Sequence, residues 1–63
     1  MNRDSYVVAK ALALAVAVTE MLPPDRQETD ADDMKAALAR VDMTAAERFV
    51  IVEGARQRLA GGR

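Results

Sequence analysis

The sequence predicts an all-α fold, in which one long apolar helix lies against an amphipathic hairpin of two shorter helices. An alanine-rich stretch without Gly or Pro fills the first third of the 63-residue chain, as is typical of a helix. Two later segments repeat apolar residues at helical spacing, and Pro or Gly residues mark the places where helices end. The length fits a single small domain over residues 1–63.

The first predicted helix covers residues 4–22. Asn2, Asp4 or Ser5 is suited to cap its start, and the two prolines that follow Leu22 end it. Large and small apolar residues alternate here as in a strand, but Ala is depleted in strands and is the strongest helix former. On a helical wheel the apolar side chains cover an arc of about 200°, against a little over ~100° for an ordinary surface helix. Because two short helices can hardly cover such an arc, we expect a second copy or another protein to cover the remainder.

The second predicted helix covers residues 30–41 and follows a linker over residues 23–29, which can hold one helical turn starting at Pro24. Thr29 or Asp30 is suited to cap this helix. Acidic residues stand in its first turn and basic residues later, which is the order that the helix dipole favours. Its apolar residues share one narrow face and are Met34, Ala37, Leu38 and Val41.

The third predicted helix covers residues 44–60. Thr44 and Glu47 have the spacing of a capping box at its start, and Gly61 and Gly62 end it. Residues 49–52 also suit a short strand, but the capping box and the lack of a partner strand favour a helix.

The helical wheels divide the apolar residues into a core and a surface for a second chain. The predicted core consists of large side chains from all three helices: Val7, Leu14, Val18, Met21, Leu22, Met34, Leu38, Val41, Phe49, Val52 and Leu59. The predicted self-interface consists of Val8, Leu12, Val16 and Ile51. Two lines of small residues are either close-packing seams or exposed positions: Ala9, Ala13 and Ala17 in the first helix, and Ala46, Val50 and Gly54 in the third.

The length of the chain favours self-association. A chain of ~60 residues buries only about 60% of the surface that it exposes when unfolded, which makes a lone core marginal. The sequence contains no Cys and no His, so disulfides are excluded and the commonest metal ligands are absent. We therefore expect a homodimer or higher oligomer, with another protein as a further candidate partner.

The net charge of −1 conceals an acidic middle segment. Residues 25–33 carry five acidic residues and one Arg, a net charge of −4, whereas residues 44–63 carry four Arg and two Glu, a net charge of +2. The acids do not match an EF-hand loop, because the sixth and twelfth positions counted from Asp30 are Lys35 and Val41. We interpret them as stabilising a helix N-terminus, and we expect no bound metal.

Arg48, Arg56 and Arg58 are candidate contacts to a partner or to nucleic acid, since Arg suits phosphate recognition. Two glutamates lie among them and the whole chain is not basic, so nucleic-acid binding is the less favoured alternative. An Arg beside an apolar face more often covers the edge of a core or pairs with an acid. We expect that acid to come from segment 25–33 of the same or a neighbouring chain.

The composition argues against an enzyme. No His exists to activate Ser5, and no Gly-rich phosphate loop is present, so we expect no catalytic residue and no cofactor. Asp4 and Lys10 interrupt the apolar N-terminal stretch, which disfavours a signal sequence or a membrane span and leads us to expect a cytoplasmic protein. Frequent Ala and Arg are typical of a GC-rich bacterial or phage genome.

These observations predict a small non-enzymatic protein-interaction module that self-associates through its first helix and acts as an adaptor, regulator or accessory subunit. The alternative is a small dimeric nucleic-acid-binding regulator that uses the arginines of the third helix.

Overall fold

The computed structural model describes residues 2–61, which form three α-helices and one short 3-10 turn. Helix α1 spans Arg3–Glu20, the turn spans Pro24–Arg26, α2 spans Ala31–Ala39 and α3 spans Ala45–Gly61. The predicted all-helical fold with three helices is therefore confirmed, with observed ends at most two residues from the predicted ones. Residues 49–52, whose composition also suits a strand, lie inside α3.

Local hydrogen bonds explain where the helices begin. Asn2 Oδ1 accepts a hydrogen bond of 2.7 Å from the Ser5 amide, which identifies Asn2 as the cap of α1. The Thr44 amide donates to Glu47 Oε1 at 2.8 Å, and the Glu47 amide donates to Thr44 Oγ1 at 3.1 Å. These two bonds confirm the capping box of α3. Asp30 occupies the corresponding position of α2 without a side-chain cap bond.

Helix α1 is central, because both α2 and α3 pack against it. Within residues 2–61, α2 and α3 pack mainly against α1 rather than against each other, so they do not form the compact hairpin that the sequence predicts. The face of α1 that they cover consists mostly of small side chains. The buried apolar residues of the molecule are Ala9, Ala13, Val16, Ala17, Leu38 and Ala55. The alanine line of the first helix is thus a close-packing seam.

Several large apolar side chains of α1 lie outside this contact, which corrects the predicted core. Five residues predicted to be buried are exposed: Val7, Val18, Met21, Leu22 and Phe49. Leu38 is buried as predicted. The remaining predicted core residues are partly buried: Leu14, Met34, Val41, Val52 and Leu59.

Helix spacing explains why alanine takes the inner face. Interaxial distances of packed helices vary between about 8 and 10 Å with the size of the side chains at the contact. An alanine face keeps this distance short for two neighbours at once, whereas Val and Leu would hold both neighbours further away. The helical wheel has no means of weighing this distance, because it ranks positions by hydrophobicity alone.

The resulting core is small for the length of the chain. None of the large side chains in the described part of the chain is fully buried. The molecule measures 35 × 27 × 17 Å and exposes 4592 Å² of surface. A compact monomer of 6.8 kDa exposes about 4,000 Å², so a single copy exposes roughly 600 Å² more than expected. Among the described helices, none combines the length and apolar character that crossing a bilayer requires.

The alanine seam predicts that a larger side chain on the inner face destabilises the fold. Ala9 is fully buried, so Ala9→Leu forces α1 away from its neighbours and lowers the free energy of unfolding by about 1–3 kcal/mol. Urea denaturation followed by circular dichroism measures the change. The control is Ala36→Leu at an exposed position of α2, which leaves the free energy of unfolding within about 0.5 kcal/mol of wild type. Equal stability of the two variants would contradict a close-packed seam.

Candidate interaction surface

The outer face of α1 is an apolar strip that runs along the helix opposite the alanine seam. We define it as Val7, Ala11 and Val18 of α1 together with Met21, the residue directly after the helix, with Leu14 at its edge. The exposed fraction of the residue is 48% for Val7, 47% for Val18 and 64% for Met21. Exposed apolar residues that are contiguous, unlike scattered ones, are typical of a protein interaction site.

The spacing on the outer face is that of a coiled-coil seam. Positions 7, 11, 14, 18 and 21 are separated by alternating steps of four and three residues, which is the heptad pattern. Leu14 is half-buried and also packs against the core, so it joins the outer face to the interior. A helix with this strip fits a second helix laid along it.

The structure places the four predicted self-interface residues in different environments. Val8 is 50% exposed and flanks the outer face. Leu12 and Ile51 are partly buried and pack against the core. Val16 is only 8% exposed, so its assignment to a surface for a second copy is corrected: it lies on the inner face beside the alanine seam.

Arg48 binds the end of α2. Its Nε donates to the carbonyl oxygen of Leu38 at 3.1 Å, and one Nη donates to that of Val41 at 2.9 Å and more weakly to that of Met43 at 3.4 Å. These carbonyls belong to the last turn of α2 and the segment after it, where a helix leaves acceptors without intrahelical donors. Arg48 therefore fastens α2 to the start of α3 and is not presented to a phosphate or a partner.

Arg56 pairs with acids, as an arginine at the edge of an apolar face is expected to do. Its Nη1 lies 3.0 Å from Glu53 Oε2, and its Nε lies 3.7 Å from Glu20 Oε1. Glu20 also lies 3.7 Å from Lys35 Nζ, so one carboxylate at the end of α1 faces a cation from each of the other helices. The acids come from α1 and α3 and not from segment 25–33. Because all these groups are exposed, the pairs add little stability.

A shallow groove of about 190 Å³ separates one side of α1 from α3. Its lining is mainly apolar, with Lys10 and Arg58 as its cations, and consists of Tyr6, Lys10, Leu14, Val50, Ile51, Gly54, Ala55 and Arg58. Lys10 Nζ lies 5.6 Å from the centre of the Tyr6 ring and donates to the Tyr6 hydroxyl at 3.4 Å. Arg3 Cζ lies 5.9 Å from the same ring. The groove therefore places a cluster of cations near the N-terminal half of α1.

Gly54 lies on the surface of a single copy. A Cβ atom added to it meets no atom within 4 Å, so no close approach within the chain requires glycine at this position. Ala46 and Val50, which complete the small-residue line of α3, are also exposed. Of the two lines, the one in α1 is a packing seam and the one in α3 faces outward.

The described residues provide no metal centre. Within residues 2–61, no group of three or more acidic side chains is arranged to hold a metal ion. Asp25, Glu28, Asp30, Asp32 and Asp33 are all exposed.

Comparison of the chain with protein-family models, with curated proteins and with solved structures finds no match.

The hydrogen bonds of Arg48 predict that replacing this residue lowers the stability of the fold, whereas replacing an exposed arginine does not. Arg48→Met removes charged donors from the end of α2 while keeping an apolar stem, and we expect the free energy of unfolding to fall by about 1–3 kcal/mol. Arg40→Met is the control at an exposed arginine directly after α2, with an expected change within about 0.5 kcal/mol. Thermal unfolding of both variants measures the difference. Similar melting of both variants would mean that the three hydrogen bonds contribute nothing.

The capping box predicts a pH-dependent contribution from Glu47. The hydrogen bond from the Thr44 backbone amide lowers the pKa of Glu47, because it favours the ionised carboxylate. A pKa that is lower in the folded state gives stability that is present above the unfolded pKa and is lost as pH falls through the folded pKa. The stability difference between wild type and Glu47→Gln is therefore present at neutral pH, begins to shrink near the pKa of an unperturbed Glu, about 4.3, and disappears once the pH is below the lowered pKa of Glu47. Denaturation curves over this pH range measure it, and a difference that persists in acid would contradict the assignment.

Proposed function

We propose that this protein is a non-enzymatic helical interaction module that self-associates through the outer face of α1, in the simplest case as a homodimer. In this role it serves as an adaptor, a regulator or an accessory subunit. The observation that carries the proposal is the exposed heptad strip of Val7, Ala11, Val18 and Met21 on the central helix. This strip replaces the surface that the sequence predicts around Leu12 and Val16, because those two side chains face the core.

The exposed area of a single copy is large enough for contact with a second copy. A single copy exposes roughly 600 Å² more than a compact monomer of its mass. A stable interface covers about 800 Å² on each partner, which is of the same order. Association would supply the burial that a core made mostly of alanine does not supply, since an alanine side chain removes less apolar area from water than Val or Leu.

The arginines support the nucleic-acid alternative less well. Arg48 donates to backbone carbonyls and Arg56 pairs with Glu20 and Glu53, so both have partners within the chain. A nucleic-acid interface needs several cations presented together to phosphates. Arg58 beside Lys10 makes a smaller cationic group than that interface requires. Nucleic-acid binding therefore remains an alternative without a specific structural observation in its favour.

If the protein self-associates, its mass in solution exceeds that of one chain, and a single substitution at the interface restores the mass of one chain. We expect light scattering over a dilution series to give twice the 6.8 kDa of one chain or more. Val18→Glu places a charge on the outer face and returns the mass to that of a monomer at concentrations where wild type is associated. Because Val18 is exposed in a single copy, the helical circular dichroism signal is expected to remain.

The matched control is Ala36→Glu, which places the same charge at an exposed position of α2. We expect this variant to keep the wild-type mass. A wild-type chain that is monomeric at every concentration would overturn self-association. A Val18→Glu variant with an unchanged mass would overturn the outer face as the interface.

A further inference from the structure

We infer that the outer faces of two copies pair antiparallel, so that α1 of one chain runs against α1 of the other about a two-fold axis. This inference rests on the proposed function and specifies the geometry of the same surface. Three independent features of α1 and its surroundings point to the antiparallel arrangement: the symmetry of the strip, the charge at its first position, and the charges at the two ends of the helix.

The spacing of the strip is the same in both directions. Positions 4, 7, 11, 14, 18 and 21 are symmetric about the point between Leu12 and Ala13, so an antiparallel pair centred there brings position 7 to position 18 and position 11 to position 14. The small Ala11 then faces the large Leu14 in both halves of the interface. A parallel pair would instead place Ala11 against Ala11 and Leu14 against Leu14, which alternates gaps with bulky contacts.

The first position of the strip is charged. Asp4 is exposed and lies three residues before Val7, at the preceding position of the same heptad pattern. A parallel pair in register would bring two Asp4 carboxylates together, and like charges at such a seam oppose association. An antiparallel pair places Asp4 at the outer end of the interface beside Met21 of the second copy, where water reaches it.

The first half of α1 carries a net positive charge, with Arg3 and Lys10 against Asp4, whereas segment 25–33 after the helix is acidic. The cations Arg3 and Lys10 surround Tyr6 in the first half of the helix, and Arg58 joins them across the groove. The end of α1 leads into the exposed segment 25–33, whose net charge is −4. An antiparallel pair brings the acidic segment of one copy to the cationic end of the other, in line with the helix dipoles. A parallel pair would bring the two acidic segments together.

A two-fold antiparallel pair also closes on itself. Each copy presents the same patch to the other, so the outer faces of both copies are buried in the dimer and none is left to bind a third copy. The inference therefore specifies a dimer among the oligomers that the proposed function allows.

Engineered cysteines distinguish the two orientations, because the chain has no cysteine of its own. Val7→Cys and Val18→Cys are prepared as separate variants, one of them labelled with ¹⁵N, and are mixed under mild oxidation. In an antiparallel dimer position 7 of one copy meets position 18 of the other, within the short Cβ–Cβ distance that a disulfide needs. Two copies of position 7 are then about 16 Å apart along the axis. Mass spectrometry identifies which chains are joined.

The expected result is a mixed disulfide in the combined sample and at least tenfold less disulfide in either variant alone. Ala36→Cys, at an exposed position of α2, measures the background from random collisions. Efficient disulfides within each separate variant would overturn the antiparallel orientation and leave self-association standing. A dimeric mass with only background disulfide in every sample would place the interface away from α1 and overturn the inference. A monomeric mass would overturn the proposed function itself.

Discussion

The contact between the alanine face of α1 and its two neighbours determines where the other apolar side chains of this protein lie. Ala9, Ala13 and Ala17 let α2 and α3 approach the same helix closely, which larger residues at these positions would prevent. The cost of this arrangement is the burial of small side chains while large ones stay in contact with water. Because alanine occupies the contact between the helices, the large apolar side chains remain exposed, and they contribute to the 4592 Å² of accessible surface.

Specific polar contacts complement this modest core. Helix α2 has nine residues, a length at which an isolated helix is marginal in water. Arg48 donates to carbonyl oxygens at its end, and the capping box of Thr44 and Glu47 orders the start of α3 only a few residues away. The join between α2 and α3 is thus held mainly by hydrogen bonds. The contacts of both helices with α1 are mainly apolar, and Lys35 of α2 and Arg56 of α3 also face Glu20 at the end of α1.

Within residues 2–61, the contacts between the helices leave one face of α1 without a partner in a single copy. Arg48 and Arg56 are engaged in bonds that connect helices, and the inner face of α1 is filled. What remains is a strip of apolar residues with cations near one end and an acidic segment at the other. Such a surface has an apolar centre and charged residues near both of its ends.

The sequence by itself determined the helices and their ends, because these depend on short-range chemistry. The cap at Asn2, the capping box at Thr44 and Glu47, the turn at Pro24 and the stop before the two prolines all follow from neighbours a few residues apart. Only the tertiary structure decided which face of α1 is inside. A helix that is apolar nearly all round offers no polar face to mark the solvent side, so its orientation follows from how closely two other helices can approach. The tertiary structure also decided the partner of Arg48, because the backbone carbonyls that accept its hydrogen bonds come near it only when α2 and α3 are packed together.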